Sequence, residues 1–290
     1  MRAAVATFPI VFAAVGACRP AFDESVSSIT GARVLAVAAD PPEAAPGDEL
    51  TLSALVVDEG GTIAAPRMAW GLCRSPRAAT DTGALPTSCI DGAADPVVGD
   101  GAAVGIRIPA DACAVFGPDS TAGTRPPDPD VTGGYFLPVR VDQPDAMVAF
   151  GAVRLACRLG DAEADVARAY AERYVDNRAP GVVVSVAARV APGTTVDVTV
   201  SWTAADAEDF VVYDRATQAL VEARESIVAS FFATAGTFDA ARSGRDGDDR
   251  ATSTTNRWTA PDDAGVVHLW AVVRDGRGAV VWRSVEVDVQ

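Results

Sequence analysis

Five cysteines, one histidine and a handful of acidic and aromatic clusters are the residues of this chain that could do chemistry. Cys18 closes the segment Val15-Gly16-Ala17-Cys18. An aliphatic residue, two small residues and a cysteine make the pattern of a bacterial lipobox, at which a signal peptidase cuts before the cysteine and its thiol carries a diacylglycerol. The apolar stretch from Ala3 to Val15, after Arg2, has about the 7–15 residues of a signal-peptide core. It is shorter than the ~20 needed to cross hydrocarbon, and Pro9 opposes a spanning helix. Residues 1–17 therefore read as a lipoprotein signal peptide and 18–30 as anchor and tether. Acyl chains on Cys18 bury methylenes at ~0.8 kcal/mol each, and several together hold a protein stably to a bilayer. The competing reading is a secretory signal cut elsewhere, with Cys18 an incidental thiol. By resemblance to enterobacterial sorting, where aspartate at that place retains a lipoprotein in the inner membrane, Arg19 after the cysteine is compatible with the outer membrane.

With Cys18 set aside, Cys73, Cys89, Cys113 and Cys157 form an even set, which export would place in an oxidising space. Two disulfides follow, and three pairings are open. Pairing Cys73 with Cys89 staples one long loop, and pairing Cys113 with Cys157 ties another to a strand, which favours that arrangement. A four-cysteine zinc site competes, but spacings of 16, 24 and 44 residues lack the close pairs of zinc ribbons.

Other chemistry is sparse. His268 lies in an alternating strand pattern with no nucleophile motif nearby, so it reads as a half-buried strand residue rather than a general base. All 24 basic residues are arginine, which removes lysine nucleophiles and Schiff bases. The loop from Asp239 to Arg250 carries Asp246, Asp248 and Asp249 on a glycine bend, the best place for calcium, which wants six to eight oxygens. It lacks EF-hand order, and Arg242, Arg245 and Arg250 offset its charge, so a solvated acidic loop is the rival reading. No other cofactor is indicated. Aromatics crowd the second half, and Trp258, placed in a loop-like stretch, is the first candidate for stacking on a sugar; core residues are the default for the rest.

The elements that must hold these residues are strands. Alternation marks Arg33 to Ala39, Leu50 to Ala54, Val104 to Ile108, Tyr135 to Val141 and Met147 to Leu159. It returns in Val182 to Ala188, Val196 to Trp202, Phe210 to Tyr213, Leu220 to Phe232, Val266 to Arg274 and Val285 to Val289, with a hairpin turn at Asp275-Gly276. Ala45-Pro46-Gly47-Asp48 is echoed by Ala191-Pro192-Gly193-Thr194, each after a valine-rich strand, as though the first turn of a sandwich were used twice. One helix is expected, from Asp161 to Tyr174, capped by Asp161 and stopped by Asn177 and Pro180-Gly181. The stretches from Ser75 to Ala103 and from Asp111 to Gly134 read as long loops. The expected fold is all-β: two tandem Ig-like β-sandwich domains, 31–159 and 181–290, joined by a linker helix in 160–180. A net charge of -15 argues against nucleic acid and anionic membrane surfaces as partners.

Phe210-Val211-Val212-Tyr213-Asp214, Phe231 to Phe238, Trp258-Thr259-Ala260-Pro261, Leu269 to Gly278, Arg33 to Val37 and Trp70 to Cys73 together resemble a family of uncharacterised lipoproteins of myxobacteria and relatives with Ig-like domains. Ala279 departs from it, standing where a second glycine is expected. The resemblance spans nearly the whole mature chain and brings no catalytic residues. The expectation is a lipid-anchored, non-catalytic protein of the cell envelope, in the outer membrane and facing the periplasm or the surface. It would be held to the membrane by its anchor, with an envelope protein or glycan as partner. A carbohydrate-binding or glycan-hydrolysing protein, and an adhesion or assembly subunit, are the alternatives; two carboxylates about 5–10 Å apart would serve the hydrolase.

Overall fold

The computed structural model describes residues 26–79, 85–92, 97–119, 124, 129–144 and 148–290. The expected signal peptide and Cys18 lie outside them. Among the described residues no helix is long and apolar enough to cross a membrane.

The first half is a sandwich of β1 (Arg33–Asp40), β2 (Glu43–Ala44), β3 (Glu49–Asp58), β4 (Gly61–Thr62), β5 (Ala69–Leu72), β6 (Val97–Asp100), β7 (Ala103–Arg107), β8 (Tyr135–Asp142) and β9 (Ala149–Leu155). β3 pairs with β1, β4 and β7 in one sheet, and the other runs β2-β9-β8-β5-β6. Their inward residues, Leu52, Trp70, Val139 and Val153 among them, form one core. Trp70 sits on the third main strand, as in Ig sandwiches, and donates its indole N–H to the Gly101 carbonyl at 2.8 Å.

The second half repeats the plan with β10 (Val183–Ser185), β11 (Arg189–Val190), β12 (Thr195–Ser201), β13 (Asp209–Asp214), β14 (Ala219–Arg224), β15 (Ile227–Ala233), β16 (Thr237–Phe238), β17 (Arg242–Arg245), β18 (Ser253–Thr259), β19 (Gly265–Asp275) and β20 (Val280–Val289). One sheet runs β10-β12-β18-β16 and the other β11-β20-β19-β15-β17, while β13 and β14 form a separate ribbon. In both sandwiches the opening strand is antiparallel to the next long strand, and the chain then crosses to pair parallel with the last strand. The repeated turn does the crossing. Asp48 N–H bonds the Ala45 carbonyl and Thr194 N–H that of Ala191, both at 3.1 Å. Gly47 and Gly193 supply the positive φ, 94° and 65°, that a side chain would resist.

Short helices complete the chain: α1 (Thr87–Asp91), α2 (Ala112–Val115) and α3 (Ala164–Arg173). Cys73 is bonded to Cys89 in α1, and Cys113 in α2 to Cys157 just past β9. α1 and α2 stand in stretches that sequence reads as loops. α3 corrects the expected helix at both ends. Asp161 takes a left-handed φ of 58° instead of capping, Glu163 precedes the first turn without a side-chain cap, and Tyr174 is already extended. Sequence also joins Leu220 to Phe232, where the chain breaks into β14 and β15, and leaves β18 as loop.

The two sandwiches meet face to face. Leu35, Leu55 and Val57 on the outer face of β1 and β3 close on Phe232, Trp270 and Val272 on the outer face of β15 and β19. Ile29 fills the same seam, its N–H bonding the Ala233 carbonyl at 2.9 Å. Trp270 donates to the Thr62 hydroxyl across it at 2.9 Å.

Candidate functional site

A buried cluster of charges lies where the sandwiches and the segment after α3 converge. The parallel register of β2 and β9 sets Glu43 opposite Arg154. Arg154, 2% exposed, donates to the Thr132 hydroxyl at 2.7 Å, to its carbonyl at 3.2 Å and to Glu43 at 3.3 Å. A Cβ on Gly134 would overlap this guanidinium, so the glycine makes room for it. Tyr174 stacks on Tyr170 and donates its hydroxyl to Glu43, whose second oxygen accepts the Asn177 N–H at 3.0 Å. Burial, first of all, raises the Tyr174 pKa above its ordinary value, which keeps the phenol a donor.

The other half of the cluster is centred on Arg277, at the tip of the β19–β20 hairpin. It is 0% exposed. Its Nε donates to Glu225 at 2.5 Å and one Nη to Glu208 at 2.6 Å, while the other Nη reaches the Val175 carbonyl and the Tyr174 hydroxyl. Phe210 lies under the guanidinium at 4.8 Å. Burial works against this charge, but Glu225 and Tyr174 outweigh it and the pKa stays above the usual arginine value. Glu208 also accepts from Arg178, which lies at the solvent edge. Asp275 caps the hairpin, one oxygen accepting the N–H of Arg277 and of Ala279 at 2.9 Å each, while its other oxygen is buried without a partner.

Four carboxylates, Glu43, Glu208, Glu225 and Asp275, thus meet three guanidiniums, those of Arg154, Arg277 and Arg178. One negative charge is left uncompensated in a low-dielectric place, and a retained proton is the natural remedy. Burial, then the charge of Asp275, raises Glu225 to about 7 against the pull of Arg277. Burial raises Asp275 to about 6 against its backbone donors.

Raised carboxylate pKa values are a mark of acid catalysis, but also of structural ion networks. A small cavity adjoins the cluster. It holds about 70 Å³ and is lined by Glu43, Arg154, Tyr170 and Tyr174, with neither Glu225 nor Asp275 on its wall. That is space for water and below the ~300 Å³ at which small-molecule pockets begin. The arrangement can hold a proton and fix two bodies, and its two acids of raised pKa stand off the cavity wall, on which Glu43 lies.

The residues expected to act lie elsewhere. Cys73, Cys89, Cys113 and Cys157 are all in disulfides. Trp258 requires correction: it is on β18, not in a loop, is 0% exposed in the second core, and donates to the Ala235 carbonyl at 3.1 Å. No sugar can stack on it. Asp246, Asp248 and Asp249, the residues expected for calcium, lie between β17 and β18. Asp249 is held by the Ala251 N–H and by Arg245, and among the described residues no three acidic, cysteine or histidine groups gather as metal ligands. His268 is half-buried beside Glu286 at 3.5 Å, against Gly61 in the seam. Sequence reasoning missed the cluster itself, because a hairpin-tip arginine reads as solvated. The one signal was four charged residues, Glu208, Glu225, Asp275 and Arg277, flanking otherwise apolar strands.

No family model matches this chain, and no curated protein matches it. Among solved structures it is similar to a glycosyl hydrolase family 2 member from Bacteroides cellulosilyticus, at 11% identity and a TM-score of 0.26, over 84% of this chain and 23% of that one. It is also similar to the Yersinia pseudotuberculosis adhesin InvE, at 13% identity and a TM-score of 0.25, over 89% of this chain and 59% of that one. The chain therefore spans less than two thirds of the length of either.

Proposed function

We propose that this chain is a lipid-anchored, non-catalytic envelope protein whose work is to present two Ig-like sandwiches as one rigid body to an envelope partner. The observation that carries the reading is the sealed joint: the acids of raised pKa are consumed in fixing one sandwich to the other and face no substrate-sized cavity. The two disulfides fit an extracytoplasmic protein. The lipobox at Cys18 supports the anchor, Arg19 after it is compatible with the outer membrane as its address, and the resemblance to lipoproteins of myxobacteria and relatives belongs to the same proposal. The burial of Trp258 removes the support that the glycan-binding alternative had in sequence.

Two measurements test this. Fatty-acid labelling of the native chain and of Cys18→Ala tests the anchor, with label and membrane retention expected only in the former; a labelled, membrane-bound variant sinks it. Proximity crosslinking in the intact envelope tests the role, and a single recurrent protein or peptidoglycan neighbour is the expected product.

A further inference from the structure

The seam between the sandwiches opens at one end into a cleft of about 370 Å³. Its walls are apolar, with Val34, Phe136, Ala149 and Phe150 from the first sandwich facing Val280 from the second. One charged side chain lines it, Arg274, at the end of β19.

Arg274 is not alone on its face. In β15, Val228 opposes Arg274 and Ser230 opposes Arg242, and these are alternate positions of one strand. Both guanidiniums therefore stand on the same outer side of the sheet, away from the core that Ala229 and Phe231 fill. Neither has a hydrogen-bond or ion-pair partner among the described residues. Such a pair is conspicuous in a chain with 39 acidic and 24 basic residues, where the buried Arg154 and Arg277 are each matched to carboxylates. Both guanidiniums reach solvent, yet the cleft crowds Arg274. Burial, and then the charge of Arg242, hold its pKa below the usual arginine value. Two like charges without a counter-charge stand to gain from an anion, and a guanidinium fork suits a carboxylate or phosphate. The apolar cleft beside them is within the range of volumes that hold small ligands.

We propose that this cleft binds an amphiphile with an anionic head, the head on Arg274 and Arg242 and an apolar chain between Phe136, Phe150 and Val280. The site adjoins the charge cluster, with Phe136 against the Arg154 guanidinium and Gly278 of the Arg277 hairpin on its wall, and it does not rest on the envelope role.

Calorimetric titration of the purified full chain with dodecanoate, below the concentration at which it forms micelles, tests it. Saturable binding of one dodecanoate is expected. Arg274→Gln should weaken it about ten-fold, the usual weight of a charge-assisted hydrogen bond, and Arg242→Gln less so. Both side chains are exposed and unbonded, so an unchanged melting temperature should accompany each loss. Butyrate and dodecanol separate tail from head, and both should bind far more weakly. Absence of saturable binding, equal affinity for dodecanol or butyrate, or an unaffected Arg274→Gln each overturns the proposal. Vesicles of phosphatidylglycerol distinguish a membrane headgroup from a free fatty acid. Retention on vesicles without dodecanoate binding means surface attraction and overturns the cleft, whereas dodecanoate binding without vesicle retention supports it for the free ligand.

Discussion

Arg277 is buried with every nitrogen engaged, and its worth comes from what it leaves behind when removed. Two acids, Glu208 and Glu225, depend on it. Breaking a buried ion pair by deleting one partner costs about 3–5 kcal/mol, much of it the burden of the orphaned charge. Arg277→Met should lower stability to urea by that amount at pH 8, and by less at pH 5.5, where protons can replace the missing cation. The pH dependence of the native chain has a definite sign. Glu225 at about 7 and Asp275 at about 6 hold their protons more tightly folded than unfolded. Their ionisation therefore works against the fold above pH 7, and stability rises as pH falls through 7 and 6 toward the ordinary carboxylate range. For Glu225 the gain is on the order of 2 kcal/mol. The melting temperature should climb between pH 8 and pH 5.5, and Glu225→Gln should flatten that rise; a native chain that melts lower at pH 5.5 than at pH 8 refutes the account.

Elements were legible where one face is wet and illegible where tertiary contact overrides local pattern. Val196 to Trp202 alternates cleanly and is β12 with its outer face in solvent. In β3 and β19 the pattern changes to unbroken apolar runs, Ala54 to Val57 and Leu269 to Val273, because one face feeds a core and the other the seam. Those runs were the sequence's own sign that the sandwiches touch. β18 was hidden by polar residues facing inward: Asn256 points in and pairs its amide with both the N–H and the carbonyl of Ala240. Helix α3 stops early because Tyr174, the Val175 carbonyl and the Asn177 N–H are all claimed by the charge cluster. Local propensity is a weak prior against three such bonds. The repeated turn, by contrast, was fully readable, since its glycines are needed for backbone geometry alone. Gly47→Ala and Gly193→Ala should each cost about 1 kcal/mol, measured by urea unfolding, as a left-handed position is forced on a side chain.

At the scale of the whole molecule the question is whether two sandwiches behave as one. Each has its own core, so each could melt separately, as domains with small polar interfaces do. The seam argues for coupling, because it is apolar and pinned at two places: Ile29 enters from the N-terminal side, and the Arg277 hairpin is bonded to the segment after α3. Trp270 is its largest member, 2% exposed and bonded across it to Thr62. Removing a buried tryptophan costs about 3–5 kcal/mol, and here much of that loss falls on the contact between sandwiches. Scanning calorimetry of the native chain should show a single transition whose calorimetric and van't Hoff enthalpies agree. Trp270→Ala should split it in two, with the disulfide-bonded sandwich and its partner melting apart, while Phe231→Ala, inside the second core, should lower the transition without dividing it. Two resolved transitions in the native chain, insensitive to Trp270→Ala, would show that the seam is contact without coupling, and the rigid-body reading would go with it.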